Sequence, residues 1–202
     1  MPCWSCGAAV PEAAAYCPAC GHSLTQRDSL PIFVVDATTE LFNAVFIKAV
    51  VEQETTRALR HSRPLSLLLV ELDHGAAISA DLGPAQLGRL LKELAQSVVA
   101  SVRDTDTVAF LGAGPPPRFA VVLPETDEAG SVVAADKVRR EVASCDYPSG
   151  GPWQRLTVSV GATTLSHERM GHQDLIQQAR EVLESGQSEG VGPNHTFLPA
   201  GA

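Results

Sequence analysis

The stretch Arg103–Pro124, RDTDTVAFLGAGPPPRFAVVLP, decides how the rest of the chain is read. It holds two short apolar runs, Thr107–Leu111 and Phe119–Leu123, the second closed by Pro124. Their β-branched and aromatic residues suit a pleated, half-buried surface, so each run predicts a strand. Between them lies Gly-Ala-Gly-Pro-Pro-Pro-Arg. Proline lacks an amide donor and fixes φ, and glycine frees it, so this segment predicts a turn joining a hairpin.

The flanks of the turn carry a resemblance. Arg103 and Asp106, then Gly112 after five intervening residues, then Phe119 and Leu123-Pro124 resemble the GGDEF family of diguanylate cyclases. That family's hairpin has the form R-x-x-D-x₅-G-G-D/E-E-F-x-x-x-L-P. The centre departs from it. The turn is longer by a few residues, and Pro117-Arg118 stand in place of the acidic pair. Working outward, Asp36-Ala-Thr-Thr-Glu-Leu-Phe-Asn43-Ala-Val-Phe46 is similar to the family's opening motif at Asp36, Thr39, Leu41, Asn43 and Phe46. A helix is expected over Thr39–His61, with Leu41, Phe42, Val45, Phe46, Ala49 and Val50 as its core stripe.

Pro64–Gly88, PLSLLLVELDHGAAISADLGPAQLG, begins as an apolar run that ends in acids. Such a run predicts a buried strand presenting carboxylates at its end. It resembles the family's P-L-S-L-L-L-x-D-I-D segment, with Glu71 in place of the first acid and Asp73 at the second. The resemblance implies divalent metals at the first acid. Ser79 and Gly88 fall where the family reads guanine with Asn and Asp. Losing paired polar contacts to a base costs recognition steeply. Further on, Gln86–Val102, Thr126–Ser144 and Gln173–Glu184 predict helices. Leu156–Thr163 and Thr196–Leu198 predict strands. Near the C-terminus Gln187 and Val191 replace the basic residues that the family places against phosphate.

These departures bear on chemistry. A cyclase of this type holds divalent cations against a triphosphate and needs carboxylates to do so. Glu71, Asp73, Pro117 and Arg118 are therefore read as vestigial catalytic positions, and the chain leans away from being an enzyme. Arg103 and Asp106 are different, because the resemblance implies that R-x-x-D binds the product, cyclic di-GMP. Arginine can bond the Hoogsteen edge of guanine with two N–H groups, and a carboxylate can accept from its N1/N2 edge. The bland alternative is a surface Arg–Asp pair of negligible energy.

The N-terminus reads separately. Cys3-x₂-Cys6-x₁₀-Cys17-x₂-Cys20, with Gly7 and Gly21 after each pair, has the spacing of two knuckles closing one tetrahedral thiolate site. Few large apolar residues accompany it, so metal binding would supply its folding free energy. The stretch resembles bacterial zinc-ribbon modules, and structural zinc is expected on Cys3, Cys6, Cys17 and Cys20. Glu12 is the only charged side chain between the first and last of these cysteines, so no basic patch awaits phosphate. Cys145 is left over as a packing residue.

Composition sets the remaining bounds. The 202 residues leave room for one ordinary domain and a small module, and the net charge of −8 argues against nucleic acid and anionic membranes as partners. No apolar run is long enough to span a bilayer and no leader is evident, so a cytoplasmic location is expected. The expected organisation is a ribbon over 1–23, a linker over 24–35 and a GGDEF-like domain over 36–199. The expected fold is α/β (α+β): a nucleotide-cyclase, ferredoxin-like palm with a mostly antiparallel sheet and flanking helices. The leading expectation for function is a catalytically degenerate member in cyclic di-GMP signalling, acting as a receptor or a protein-contact module, with a homodimer open. Two alternatives stand beside it. One is a divergent nucleotidyl cyclase using GTP and magnesium through Glu71 and Asp73. The other is a nucleic-acid or transcription adaptor led by the ribbon.

Overall fold

The computed structural model describes residues 9–11, 14–15, 34–112, 114, 116–166, 170–188 and 192–199. The four ribbon cysteines lie outside the described residues. The chain divides into two units, Met1–Phe33 and Val34–Ala202, and the sheet and helices described below belong to the second.

The sheet is built on β2 (Leu65–Leu72), whose eight residues are all buried. Side chains alternate across a strand. Leu68, Val70 and Leu72 therefore enter one core, with Leu90, Leu94, Val138 and Val142. Leu65, Leu67 and Leu69 enter the other, with Ile47, Val51, Leu175 and Leu183. Both faces are covered, which is why the strand reads as a continuous apolar run rather than an alternating one.

Two antiparallel partners flank β2. On one side is β4 (Arg118–Pro124), on the other β5 (Val158–Thr164). β3 (Thr107–Gly112) completes the predicted hairpin with β4. The two-residue edges β1 (Phe42–Asn43) and β6 (Thr196–Phe197) add in parallel, giving the order β1-β3-β4-β2-β5-β6. The helices α3 (Pro84–Ala100) and α4 (Glu128–Ser144) cover one face. The helices α1 (Ala44–His61) and α5 (His172–Ser188) cover the other. A short helix α2 (Gly75–Asp81) follows β2 directly. The mostly antiparallel palm expected from the sequence is the fold of this unit.

Several local expectations need correction. The first helix starts at Ala44, not Thr39, because the Asp36 carboxylate accepts from the Thr38 and Thr39 amides and turns the chain there. Asn43 then caps the helix, its Oδ1 accepting from the Val45 and Phe46 amides. Its core stripe is Ile47, Val51, Thr55 and Ala58, whereas Val45 is 72 % exposed. The start of α1 is apolar on every side, so periodicity alone did not select the face. α4 starts at Glu128, not Thr126, because Asp127 is its N-cap and accepts from the Gly130 amide. α5 runs four residues beyond Glu184, to Ser188.

Inside the α3–α4 core, Tyr147 is fully buried. Its hydroxyl donates to Ser97 Oγ at 2.9 Å, and burial pushes its pKa well up. Cys145, at the end of α4, packs half-buried beside Ser97.

Candidate functional site

The hairpin has two ends, and each carries residues singled out in the sequence. At the turn end, the β2–β4 register sets Glu71 directly opposite Arg118. The Glu71 side chain is only 8 % exposed and Arg118 is 29 % exposed. Arg118 Nε donates to Glu71 Oε2 at 2.6 Å. Gln187, on the last turn of α5, donates from Nε2 to the other oxygen at 2.7 Å. Glu184 lies 3.7 Å from Arg118 Nη1. Three elements are thus joined by one charged cluster, and each oxygen of Glu71 holds a protein donor.

Asp73 is committed in another way. Its Oδ1 accepts from Ser159 Oγ of β5, and its Oδ2 accepts from the Asn194 amide, both at 2.7 Å. Asn194 sits at φ +66° in the turn before β6. Arg139 of α4 reaches the same turn, bonding Asn194, Thr196 Oγ1 and Asp136. The hydrogen bond from Arg139 is the main reason that the Asp136 carboxyl lies below its ordinary pKa. Asp73 therefore fastens the C-terminal turn to the sheet.

The prolines close the remaining side. The Pro117 carbonyl accepts from the Leu72 amide at 3.1 Å. Pro116 and Pro117 lie on the first residue of α2, where a Cβ on Gly75 would meet Pro117 Cδ at 2.7 Å. Only glycine allows that approach. Gly112, at φ +126°, allows the bulge that starts the turn. Ser79, at the expected base-reading position on α2, has a buried hydroxyl with no partner among the described residues.

Arg103 and Asp106 lie at the opposite end, before β3. Six residues of strand separate them from the turn, roughly 20 Å. Asp106 Oδ2 accepts from the Arg103 amide at 2.9 Å, and the Asp106 amide donates back to the Arg103 carbonyl at 3.0 Å. The two side chains do not pair. The Arg103 guanidinium has no partner among the described residues, and Asp106 Oδ1 is buried without one. A groove of about 390 Å³ opens beside them, with a floor of Leu41, Val102 and Val108.

The structure thus brings Glu71, Pro117 and Arg118 together, adjoins Asp73 through its own network, and sets Arg103 and Asp106 apart. Sequence reasoning did not find Glu184, Ser159 or Asn194 as members of the turn-end network. Gln187 was visible only as a missing lysine. Among the described residues, no three His, Cys, Asp or Glu side chains are arranged to hold a metal ion. None of the described helices is long and apolar enough to cross a membrane.

Known proteins share both the sequence pattern and the palm. The profile of the "Diguanylate cyclase, GGDEF domain" family matches residues 33–192, and that of the zinc-ribbon domain matches residues 3–24. Diguanylate cyclase DosC of Escherichia coli K12 is 29% identical over 153 residues, covering 74% of this chain and 32% of its own. Response regulator PleD of Caulobacter vibrioides is 24% identical over 164 residues, covering 80% of this chain and 36% of its own. The chain spans about a third of the length of these relatives. In fold, it matches the GGDEF domain of DgcB from Caulobacter crescentus, solved with c-di-GMP, at a TM-score of 0.71. That match is 16% identical over 82% of this chain and 92% of DgcB's. The FimX GGDEF domain from Pseudomonas aeruginosa matches at 0.73, 18% identical over 81% of this chain and 98% of the other. With the profile covering most of the sequence and the palm present, this chain belongs to the GGDEF domain family.

Proposed function

We propose that this GGDEF domain has given up the cyclase reaction and serves cyclic di-GMP signalling as a receptor of that nucleotide, passing the signal to a protein partner. The observation that carries the reading is the occupancy of its acids. Both oxygens of Glu71 and both of Asp73 hold donors from the protein itself. Magnesium needs oxygen ligands at about 2.1 Å in a near-octahedral shell. The guanidinium of Arg118 takes up the charge of Glu71 that such an ion would use. The residues present at the turn end do not fit a pair of divalent cations.

The Arg103–Asp106 end supports the binding half of the reading. The Arg103 guanidinium, without a partner among the described residues, offers a fork of donors at the rim of the groove, with Asp106 holding the backbone beneath it. That fork suits a guanine base. The DgcB structure solved with c-di-GMP makes this nucleotide the first ligand to try. The SiaD cyclase solved with its activator SiaC makes a protein partner a natural extension. The N-terminal match to a zinc ribbon supports structural zinc on Cys3, Cys6, Cys17 and Cys20. The units 1–23, 24–35 and 36–199 then serve as ribbon, linker and receptor domain.

The test is calorimetric titration of the zinc-loaded protein with cyclic di-GMP, beside Arg103→Ala. Micromolar binding lost in the variant is expected. GTP turnover with magnesium that disappears in Glu71→Gln would overturn the silent half of the reading, and absence of wild-type binding would overturn the receptor half.

A further inference from the structure

α1 carries two rows of side chains, and only one of them is buried. Ile47, Val51, Thr55 and Ala58 form the buried row. A second row, Val45, Ala49, Glu52, Thr56 and Leu59, is exposed at every position. Its steps are four, three, four and three residues, the spacing of a helix that packs lengthwise on another helix. At about 3.6 residues per turn, this row lies roughly a third of a turn around α1 from the buried one. Val45 and Leu59 at its two ends are 72% and 42% exposed.

The charges of this face suit a copy of itself. The chain carries a net charge of −8, but α1 holds Lys48, Arg57 and Arg60 against Glu52 and Glu54, a net +1. Two copies can meet here without the repulsion that the rest of the surface brings. Arg57 is taken by Glu54 at 3.0 Å, whereas the side chains of Lys48, Glu52 and Arg60 have no partner among the described residues. A shallow groove of about 500 Å³ lies along the row, lined by Ala49, Gln53, Thr56 and Arg60, with room for side chains from a facing helix. The same charges choose the orientation. In a parallel pair Lys48 would meet Lys48, and Glu52 would meet Glu52. In an antiparallel pair, with Val45 against Thr56 and Ala49 against Glu52 of the second copy, each Glu52 lies beside the other copy's Lys48. The small Ala49 and Thr56 then face the larger side chains, and Leu59 falls near the exposed Phe42.

We propose that the outer face of α1 is an interface between two copies of this chain, paired antiparallel through Val45, Ala49, Glu52, Thr56 and Leu59. Neither end of the hairpin takes part, so the pairing needs no nucleotide and stands or falls apart from the receptor reading. Glu52 and Thr56 at the centre of the row weaken such a seam and fix its register. The contact is short, and a dissociation constant on the order of 10–100 μM fits it, so pairing follows concentration.

The experiment is sedimentation equilibrium of the full zinc-loaded chain without nucleotide, over roughly 5 μM to 1 mM, a range that brackets the expected constant. A reversible monomer–dimer equilibrium is expected. Val45→Glu should weaken it about tenfold or more, and Val133→Glu, a control of similar exposure on α4, should leave it unchanged. Lys48→Glu and Glu52→Lys should each weaken pairing alone. Mixed one to one, the two variants should pair again, because the mixed dimer has opposite charges at both contacts. A photo-crosslinking residue in place of Val45 should mark the Thr56 peptide of the other copy. A monomer across the range, a dimer indifferent to Val45→Glu, one weakened as much by Val133→Glu, or a mixture no tighter than its components would each overturn the interface. A crosslink to the other copy's own position 45 would overturn the antiparallel order.

Discussion

The two ends of one hairpin have opposite characters. At the turn, Glu71 is buried and every oxygen is satisfied from within, by Arg118 and by Gln187. Before β3, the Arg103 guanidinium is free and an oxygen of Asp106 lacks a partner among the described residues. Charges at the first end are spent on the fold. At the second, the Arg103 guanidinium remains available to something outside it, while Asp106 is buried against its own turn. The lesson is that a charged residue at a motif position says little until its partners are known, since a satisfied charge and an unsatisfied one differ in what they can still bind.

The contrast predicts that the first end sets stability and the second sets affinity. The largest effect is expected from Arg118→Ala, which leaves Glu71 buried with one neutral donor. About 3 kcal/mol of unfolding free energy should be lost in a denaturant titration, with cyclic di-GMP affinity unchanged. A variant as stable as the wild type would erase the difference between the ends. Arg103→Ala should do the reverse, weakening cyclic di-GMP at least thirtyfold, or about 2 kcal/mol, at a constant unfolding midpoint. Asp73→Asn tests the tie to the C-terminal turn. It keeps the volume but weakens two charge-assisted hydrogen bonds, at a cost of about 1–2 kcal/mol, with faster amide exchange near Asn194.

The smallest effect concerns acid. The Asp136 carboxyl is lowered chiefly by its hydrogen bond from Arg139. Its contribution is therefore fully present above the ordinary carboxylate range near ~4 and fades as pH falls through the lowered value. Asp136→Asn should flatten the stability profile slightly in that window alone. A variant profile parallel to the wild type down to the acid limb would show that the Arg139 network carries no pH dependence.

Much of the scaffold was legible because its signals are local. The hairpin strands were expected within a residue of their observed ends, and β2 announced itself by an apolar run ending in acids. The short edge β6 was expected at Thr196–Leu198, but the two-residue β1 left no such trace, because it exists only through pairing with β3. α2 was missed for a related reason: seven residues starting at a glycine are too short to show a helical stripe. The face of α1 was misread where apolar residues surround the helix. At the site, Glu71 and Arg118 were each visible as substitutions, but their contact is a fact of strand register. Asp73 meets Asn194 across most of the domain, and nothing at either position names the other.

The central place of β2 has a cost of another kind. Leu68 pairs with Val121 on one side and Ala162 on the other, so its second neighbour is made about ninety residues later. At roughly 5–20 residues per second of synthesis, a strand reading Leu-Ser-Leu-Leu-Leu-Val waits on the order of 5–20 seconds for its full sheet. During that interval it is an apolar segment of high β-propensity with at least one edge open. The nascent chain is most vulnerable there, and a chaperone that holds extended apolar segments would find its binding site in the strand that later becomes the most protected part of the fold.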